Sequence, residues 1–376
     1  MKNAILFLLI VILAGCQQDN KYILNGSFDG PQNEEWIYMV KFPGNYNDRD
    51  SAKIENGKFV FTGIIDTPQV YYMHYQMDKI IGVNTFFLEP GTLNATINLD
   101  NWDLNSKVEG GKLNDEYNKF LAERLEKFLN SIFELQRKAA NARKDRLKEI
   151  NDSISMLWSA DFNFSMNYIK NNSNSLAALH SFYMLYNGCT VDETSQILSQ
   201  FHPSLHNTLL YKKILDENQE RIERREKANS ISLTNETKIV KSDFKGAPVF
   251  ETIIKQNPNK VLYVDFWATW CGPCKQEFPS SKKLYEEIDT TKISMIYLCI
   301  SSEEENWKQT IKLEGLKGQH FFIDDEVMKK LENDYNLKIP GIPRYIIIGK
   351  DGKIVNEDAP RPSSEETKKL LIQLSS

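Results

Sequence analysis

Two cysteines, Cys271 and Cys274, lie two residues apart where the character of the sequence changes. The apolar run 261–264 before them is typical of a buried strand, and the pattern that follows, 275–288, is typical of a helix. The pair is therefore predicted at a helix start, where unpaired N–H groups and the positive end of the helix dipole stabilise an anion. This position should lower the pKa of the Cys271 thiol and make it a nucleophile. Cys274, one turn further on, can close a disulfide with it.

Such a pair predicts thiol–disulfide exchange. Cys271 would attack a partner disulfide, and Cys274 would then attack the mixed disulfide and release the reduced product. Cys274 must first lose its proton, and Asp265 on the preceding strand and Glu277, three residues after Cys274, are the candidate acceptors. Burial raises the pKa of a carboxyl group and makes it a usable base. The alternatives are that Glu277 only complements the helix dipole and that Asp265 has only a structural role.

A metal site or a structural disulfide is the other interpretation of the cysteine pair. A zinc site needs two more ligands at metal spacing, and the sequence has no second Cys-x-x-Cys and no histidine close to the pair. His202 and His206 have helical i, i+4 spacing, but no third ligand accompanies them. We therefore predict no metal and no cofactor. Cys189 and Cys299 are interpreted as packed thiols, with a third redox thiol as the alternative for Cys299.

The residues around the pair resemble the thioredoxin superfamily. The stretch that carries the resemblance is Phe266-Trp267-Ala268-Thr269-Trp270-Cys271-Gly272-Pro273-Cys274, and Pro279 lies where thioredoxins kink the active-site helix. Gly341-Ile342-Pro343 is similar to the family's cis-proline loop, and Asp265 occupies the position of its buried acid. Glu277-Phe278-Pro279 is similar to the Glu-x-Pro of the extracytoplasmic ResA and TlpA reductases. The resemblance covers residues 231–376.

The resemblance implies how a substrate would bind. The Ile342–Pro343 bond would be cis and would turn the Ile342 backbone toward the substrate, while Trp270 and Ile342 would form an apolar surface beside the sulfurs. Arg344 stands where many relatives have Thr, a departure that would favour particular or acidic substrates. The implied partners are disulfide-bearing extracytoplasmic proteins and a membrane electron donor of the DsbD/CcdA type.

The N-terminus is predicted to direct the chain to the cell envelope. Residues 1–15 have a positive start and an apolar run too short to span a membrane, followed by Leu13-Ala14-Gly15-Cys16, which resembles a bacterial lipobox. Cys16 is the expected lipidation site; the alternative is an ordinary secretory signal with a chance cysteine. No Asp follows Cys16, which favours a periplasm-facing anchor in the outer rather than the inner membrane.

The rest of the chain predicts a multidomain protein. The chain has 376 residues and a net charge of −5, with no basic concentration that would indicate nucleic-acid binding. After the signal peptide we predict an antiparallel β domain at 16–107, an α-helical region at 108–230 and a C-terminal α/β thioredoxin fold at 231–376. The first of these resembles a small N-terminal β domain of Bacteroidetes lipoproteins. Its aromatic residues Tyr71, Tyr72 and Tyr75 are predicted to be exposed. We interpret them as members of cross-strand packing pairs, and the alternative is that they line a ligand groove.

These observations predict a membrane-anchored thiol:disulfide oxidoreductase. The Gly-Pro between the cysteines is that of reducing thioredoxins, so reduction is favoured over oxidation. The first alternative is a ligand-binding lipoprotein with an auxiliary redox domain. The second is a thiol peroxidase, whose Pro-x-x-x-Thr approach to a lone cysteine is absent.

Overall fold

The computed structural model describes residues 20–30, 34–75, 84–99, 106–140, 142–241, 244 and 247–376. These residues form two compact units that divide between Gln219 and Glu220. The predicted signal peptide at 1–15 and the predicted lipidation site Cys16 lie outside the described residues and stay predictions.

The first unit begins with two four-stranded sheets packed face to face. Its strands are β1 Lys21–Asp29, β2 Trp36–Phe42, β3 Asp50–Lys53, β4 Lys58–Ile64, β5 Gln69–His74, β6 Asn84–Leu88, β7 Gly91–Asn98 and β8 Lys107–Glu109. The sheet orders are β4-β1-β7-β8 and β3-β2-β5-β6. Leu24 and Leu93 of the first sheet pack with Ile37, Met73 and Phe86 of the second in a shared core. The predicted antiparallel domain is therefore present.

One strand pair departs from the antiparallel pattern, because β1 and β7 are parallel. A parallel pair needs a long connection between its strands, and β2 to β6 supply it. Asn56 and Gly57 form a tight turn between β3 and β4, and both have the positive φ (54° and 72°) that such a turn requires.

The three tyrosines of the β domain pack rather than line a groove. Tyr71 lies opposite Phe86 on the neighbouring strand, with ring centroids 5.9 Å apart, and Tyr72 stacks on Phe42 at 4.6 Å. Their expected exposure was wrong: Tyr75 is only 4% exposed and the other two are half-buried. Tyr71 and Tyr75 belong to the core between the two sheets, and Tyr72 packs against the cluster formed with the helices. Strand alternation alone does not predict the helical cover.

Those helices follow the β domain in sequence. They are α1 Lys112–Arg124, α2 Asn130–Ala140, α3 Lys144–Asn171, α4 Leu176–Leu185, α5 Val191–Gln200 and α6 Leu209–Ser230, with a π-helical turn at Leu125–Leu129 between α1 and α2. Leu179 and Phe182 of α4 share a buried cluster with Val70 and Phe87 of the second sheet. A separate 3-10 turn, Pro203–Leu205, precedes α6.

The second unit is a six-stranded mixed sheet with helices on both faces. The strands are β9 Thr237–Ile239, β10 Val261–Trp267, β11 Ile293–Cys299, β12 Gly318–Phe322, β13 Arg344–Ile348 and β14 Ile354–Asn356, and the helices are α7 Val249–Gln256, α8 Gly272–Glu287, α9 Glu304–Glu314, α10 Asp325–Asp334 and α11 Glu365–Ser375. The order β14-β13-β10-β11-β12-β9 puts β10 in the interior. β9 to β12 run parallel, and β13 and β14 complete an antiparallel edge. This is the predicted thioredoxin-like α/β fold.

Alternate residues of β10 point to opposite faces of this sheet. Val261, Tyr263 and Trp267 pack against α8, α9 and α11, whereas Leu262, Val264 and Phe266 pack against α7 and α10. Every residue of β10 is buried, which explains its nearly unbroken apolar sequence. Asp265 is the exception in that sequence, and the alternation places it on the α8 face. Among the described residues, no helix combines the length and the apolar character needed to cross a membrane.

Candidate active site

Cys271 and Cys274 form a disulfide at the N-terminus of α8, with their Cα atoms 5.3 Å apart. Cys271 is the N-cap residue, and its Sγ accepts the backbone N–H of Cys274 at 3.2 Å. Pro273 lies in the first turn, where its missing N–H leaves no helix bond unmade. A donor directed at a sulfur stabilises its thiolate. Once the disulfide is reduced, this arrangement favours Cys271 as the attacking thiol.

The two cysteines differ little in exposure in this oxidised state. Cys271 is 3% exposed and Cys274 1%. Exposure therefore does not distinguish the two sulfurs in the disulfide form. The assignment of the nucleophile rests on its position at the helix N-terminus.

The loop before the cysteines is held by the end of β11. The Thr269 N–H donates to the Ser302 Oγ at 3.0 Å, and the Trp270 indole N–H donates to the Ser301 carbonyl at 2.7 Å. Trp270 is nevertheless 66% exposed. A large apolar ring beside the disulfide, fixed at its polar edge and open to solvent, suits contact with a protein substrate. The sequence contained no signal for the two serines, which follow another strand.

The cis-proline loop is present where it was predicted. The Ile342–Pro343 peptide bond is cis, and Ile342 packs against the cluster that contains Cys271 and Cys274. Arg344, the first residue of β13, pairs with Asp358 at 2.8 Å, and its side chain is only 22% exposed. The guanidinium is therefore already engaged within the domain. Its predicted role in choosing substrates stays a prediction.

Asp265 lies on β10 in an environment unusual for a carboxyl group. It is 2% exposed, and its Oδ1 has no hydrogen-bond partner among the described residues. Burial raises the pKa of Asp265 well above its ordinary value, and the charge of Glu277 raises it further. Tyr297 and Tyr345 lie opposite Asp265 on the flanking strands. A buried acid of this kind can take up a proton near neutral pH.

Glu277 is also largely buried but has well-defined partners. Its two carboxylate oxygens accept hydrogen bonds from the Ser363 backbone N–H and Oγ, each at 3.1 Å, and the Arg361 Nη1 lies 3.6 Å from Oε1. It lies three residues after Cys274 in α8, so both residues occupy the same side of the helix. Ser363 is 86 residues distant from Glu277, and no local spacing pattern could have connected them.

The remaining sequence candidates lie apart from this chemistry. His202 Nδ1 contacts the Ser204 Oγ, and His206 Nε2 contacts the Phe201 carbonyl. Cys189 is buried in the helical region. Cys299 is fully buried on β11 beside Trp267, and burial raises the pKa of its thiol to about 12. That value leaves Cys299 protonated and unreactive at neutral pH. Across the described ranges, no group of three or more metal-ligating side chains comes together.

Comparison with known proteins gives matches in both units. Residues 251–371 match the Redoxin family, and residues 22–117 match a domain of unknown function (DUF4369). Thioredoxin-1 of Caenorhabditis elegans is 40% identical over 70 residues, which are 19% of this chain and 52% of that protein. The chain therefore spans about half the length of that relative.

Two further similarities involve bacterial proteins. Thiol-disulfide oxidoreductase ResA of Bacillus thuringiensis (strain Al Hakam) is 26% identical over 121 residues, 32% of this chain and 67% of that protein. A crystal structure from Bacteroides vulgatus, assigned as a thiol-disulfide oxidoreductase, has 34% identity, covers 32% of this chain and 82% of its own, and has a TM-score of 0.28.

The fold and the site define a dithiol redox domain, with its cysteine pair at a helix N-terminus and a cis-proline beside it. Residues 251–371 form a ResA/TlpA-like domain of the thioredoxin superfamily, and residues 22–117, nearer the N-terminus, match the DUF4369 domain.

Proposed function

We propose that this protein is a membrane-anchored, extracytoplasmic thiol:disulfide oxidoreductase that reduces disulfides of other proteins. The observation that carries the proposal is the Cys271–Cys274 disulfide at the N-terminus of α8, beside the cis Ile342–Pro343 bond. The name of the ResA relative supports the same chemistry. The Gly-Pro between the cysteines supports reduction as the direction.

The reaction follows from the positions of the two sulfurs. In the reduced protein the Cys271 thiolate attacks one sulfur of a substrate disulfide, forms a mixed disulfide and expels the other sulfur as a thiolate. Cys274 then gives up its proton and attacks the Cys271 sulfur, which releases the second substrate thiol. The substrate gains two electrons and two protons, and the Cys271–Cys274 disulfide is restored.

The side chains beside the sulfurs support binding of an extended substrate segment. The backbone before Pro343 offers strand-like hydrogen bonds, and Trp270 and Ile342 offer apolar contact. The substrates proposed are disulfide-bearing proteins outside the cytoplasm. A membrane donor of the DsbD/CcdA type would then reduce the disulfide of this protein for the next cycle.

The proposed location rests on the sequence. The lipobox-like residues 13–16 favour lipidation of Cys16, and several acyl chains bury enough methylene groups for a stable anchor. The absence of Asp after Cys16 favours the outer membrane, with the protein facing the periplasm.

The test is insulin reduction by the full chain, with dithiothreitol as electron source. We expect turbidity from the released insulin chains to develop much faster than with dithiothreitol alone. Cys271→Ser should remove the acceleration, whereas Cys189→Ala, which removes a buried cysteine of the other unit, should retain it. No acceleration by the wild-type chain would overturn the proposal and would leave the ligand-binding alternative.

A further inference from the structure

A short segment before α11, Asp358–Ser363, lies against Glu277 of the active-site helix. Ser363 supplies two hydrogen bonds to the Glu277 carboxylate, and Arg361 supplies the nearest cation. The two hydrogen-bond donors of Ser363 and the Arg361 cation therefore meet at one side chain that is about one-tenth exposed. The contact between Arg361 and Glu277 differs from an ordinary surface ion pair, because Glu277 is nearly buried while the Arg361 side chain is 55% exposed.

The segment itself is held in place from several directions. The Tyr263 hydroxyl donates to the Pro360 carbonyl at 2.7 Å, and the Thr367 hydroxyl donates to the Arg361 carbonyl at 2.6 Å. The Ala359 N–H donates to the Tyr345 carbonyl at 2.9 Å. The donors that face Glu277 are therefore fixed by β10, β13 and α11, and Glu277 is fixed in turn.

The position of Glu277 affects Asp265, because the charge of Glu277 raises the pKa of this buried acid. The titratable groups coupled to Asp265 are Glu277 from α8, the Cys299 thiol of β11 and three tyrosines of the sheet, Tyr263, Tyr297 and Tyr345. Burial raises the pKa of the thiol and of each tyrosine, so all four stay neutral. The charge that opposes ionisation of Asp265 is that of Glu277, and like charges act more strongly the closer they are held.

We propose that Arg361 and Ser363 are positioning residues that fix the Glu277 carboxylate beside Asp265 and thereby set the pH dependence of the step in which Cys274 resolves the mixed disulfide. This inference rests on the proposed function and deepens it. Without these donors Glu277 would turn toward water, its charge would act less on Asp265, and Asp265 would ionise at lower pH.

Stopped-flow reaction of the reduced full chain with dithiobis(nitrobenzoate) separates the two thiol steps. Cys271 attacks the reagent, forms a mixed disulfide and expels one thionitrobenzoate. Cys274 then loses its proton, attacks the Cys271 sulfur and expels the second. The protein loses two electrons and the reagent gains two, so each phase releases one coloured thiolate.

Arg361→Gln and Ser363→Ala should each lower the pH midpoint of the second phase, Arg361→Gln by roughly one pH unit, and leave the first phase unchanged. Arg361→Lys should restore much of the wild-type midpoint, because it returns the positive charge. Glu277→Gln should lower the midpoint as well, and adding Arg361→Gln to it should cause no further decrease. Lys353→Gln removes an exposed cation of the β13–β14 turn and should have no effect.

The outcomes separate this inference from the proposed function. If the wild-type chain releases two thionitrobenzoates but Arg361→Gln and Ser363→Ala leave the second-phase midpoint unchanged, the inference is overturned and the proposed function stands. Full additivity of Arg361→Gln with Glu277→Gln would also overturn it, because Arg361 would then act independently of Glu277. If neither phase occurs in the wild-type chain, the proposed function and the inference both fail.

Discussion

At the scale of single residues, the two cysteines are distinguished by what surrounds them. The Cys271 sulfur lies at the helix start and accepts an N–H, whereas Cys274 lies inside the first turn and donates that N–H. The environment that stabilises a thiolate therefore belongs to Cys271. The proposed division of work, with Cys271 attacking and Cys274 resolving, rests on this difference.

Cys274→Ser should accumulate mixed disulfides with substrates, because attack remains possible and resolution does not. Cys271→Ser should form none and should lose disulfide reduction entirely. Non-reducing electrophoresis and mass spectrometry of the full chain, incubated with an envelope protein extract, would detect the linked species. Mixed disulfides that form on Cys274 in the Cys271→Ser chain would reverse the assignment.

The two carboxyl groups make separable contributions to resolution. Within the described part of the chain, Asp265 Oδ1 has no hydrogen-bond partner, and burial raises the pKa of Asp265, whereas both oxygens of Glu277 accept hydrogen bonds from Ser363. We expect Asp265→Asn to slow the second thiol step by ~100-fold or more, the usual effect of losing a general base. Glu277→Gln should slow it less, and the double change should be the slowest.

Rapid-mixing measurements of both steps decide between these roles. The first step serves as the internal control, since attack by Cys271 needs neither carboxylate. Equal slowing of both steps would mean that the substitutions disturb the site generally. An unchanged second step in Glu277→Gln would leave Glu277 as a residue that only complements the helix dipole.

At the scale of secondary-structure elements, a histidine lies buried between α4 and a β-sheet in the first unit. His180 of α4 is 1% exposed, and neither of its ring nitrogens has a hydrogen-bond partner among the described residues. The rings around it are Phe42, Tyr72, Phe87 and Tyr117. Burial lowers the pKa of His180 from 6.5 to about 4. This packing therefore requires the neutral imidazole.

The sign of the resulting pH dependence follows from proton binding. Between about pH 6.5 and 4 the unfolded chain binds a proton at His180 that the folded chain does not, so stability falls as the pH decreases through this range. Over that window the loss is on the order of 3 kcal/mol. His180→Phe should remove this part of the acid sensitivity of the first unit, and His74, whose pKa burial also lowers, should retain the rest.

Thermal unfolding of the full chain at several pH values would measure the effect. His202→Gln, at an exposed position, is the matched control and should leave the acid sensitivity unchanged. A His180→Phe chain with the same pH dependence as the wild type would contradict the assignment to His180.

At the scale of the whole molecule, the redox site occupies one of two compact units. The other unit combines the β domain, which matches a domain of unknown function, with the helical region. Thiol chemistry of the kind proposed needs only the second unit, because every side chain placed at the site lies between β10 and α11. The proposed position of the chain in the cell rests on the lipobox-like sequence at 13–16.

Cys16 is predicted to carry the lipid that anchors the chain. Cys16→Ala should leave the precursor unprocessed or release the protein from membranes. Membrane fractionation together with mass spectrometry of the N-terminal peptide would measure this. Unchanged fractionation and an N-terminus without acyl mass would contradict the prediction, whereas Cys189→Ala should fractionate like the wild type.

Local patterns in the sequence were sufficient for much of the second unit. The apolar run before Cys271, the Cys-Gly-Pro-Cys spacing and the Ile342-Pro343 motif predicted the strand, the helix start and the cis bond that the structure contains. These features depend on neighbouring residues, whose strand and helix preferences act over a few positions. The two cysteines and the buried Asp265 could be identified for the same reason.

The tertiary structure alone decided what surrounds those residues. Ser363 and Arg361 reach Glu277 across more than eighty residues, and Ser302 reaches Thr269 from a different strand. The parallel pairing of β1 with β7 and the burial of Tyr75 likewise depend on how distant elements pack. Hydrogen bonds and burial of this kind form only after the chain has folded, so no spacing in the sequence encodes them locally. The sequence therefore determined which side chains are candidates for the chemistry. The packing determined which residues hydrogen-bond to those side chains and which charges act on them.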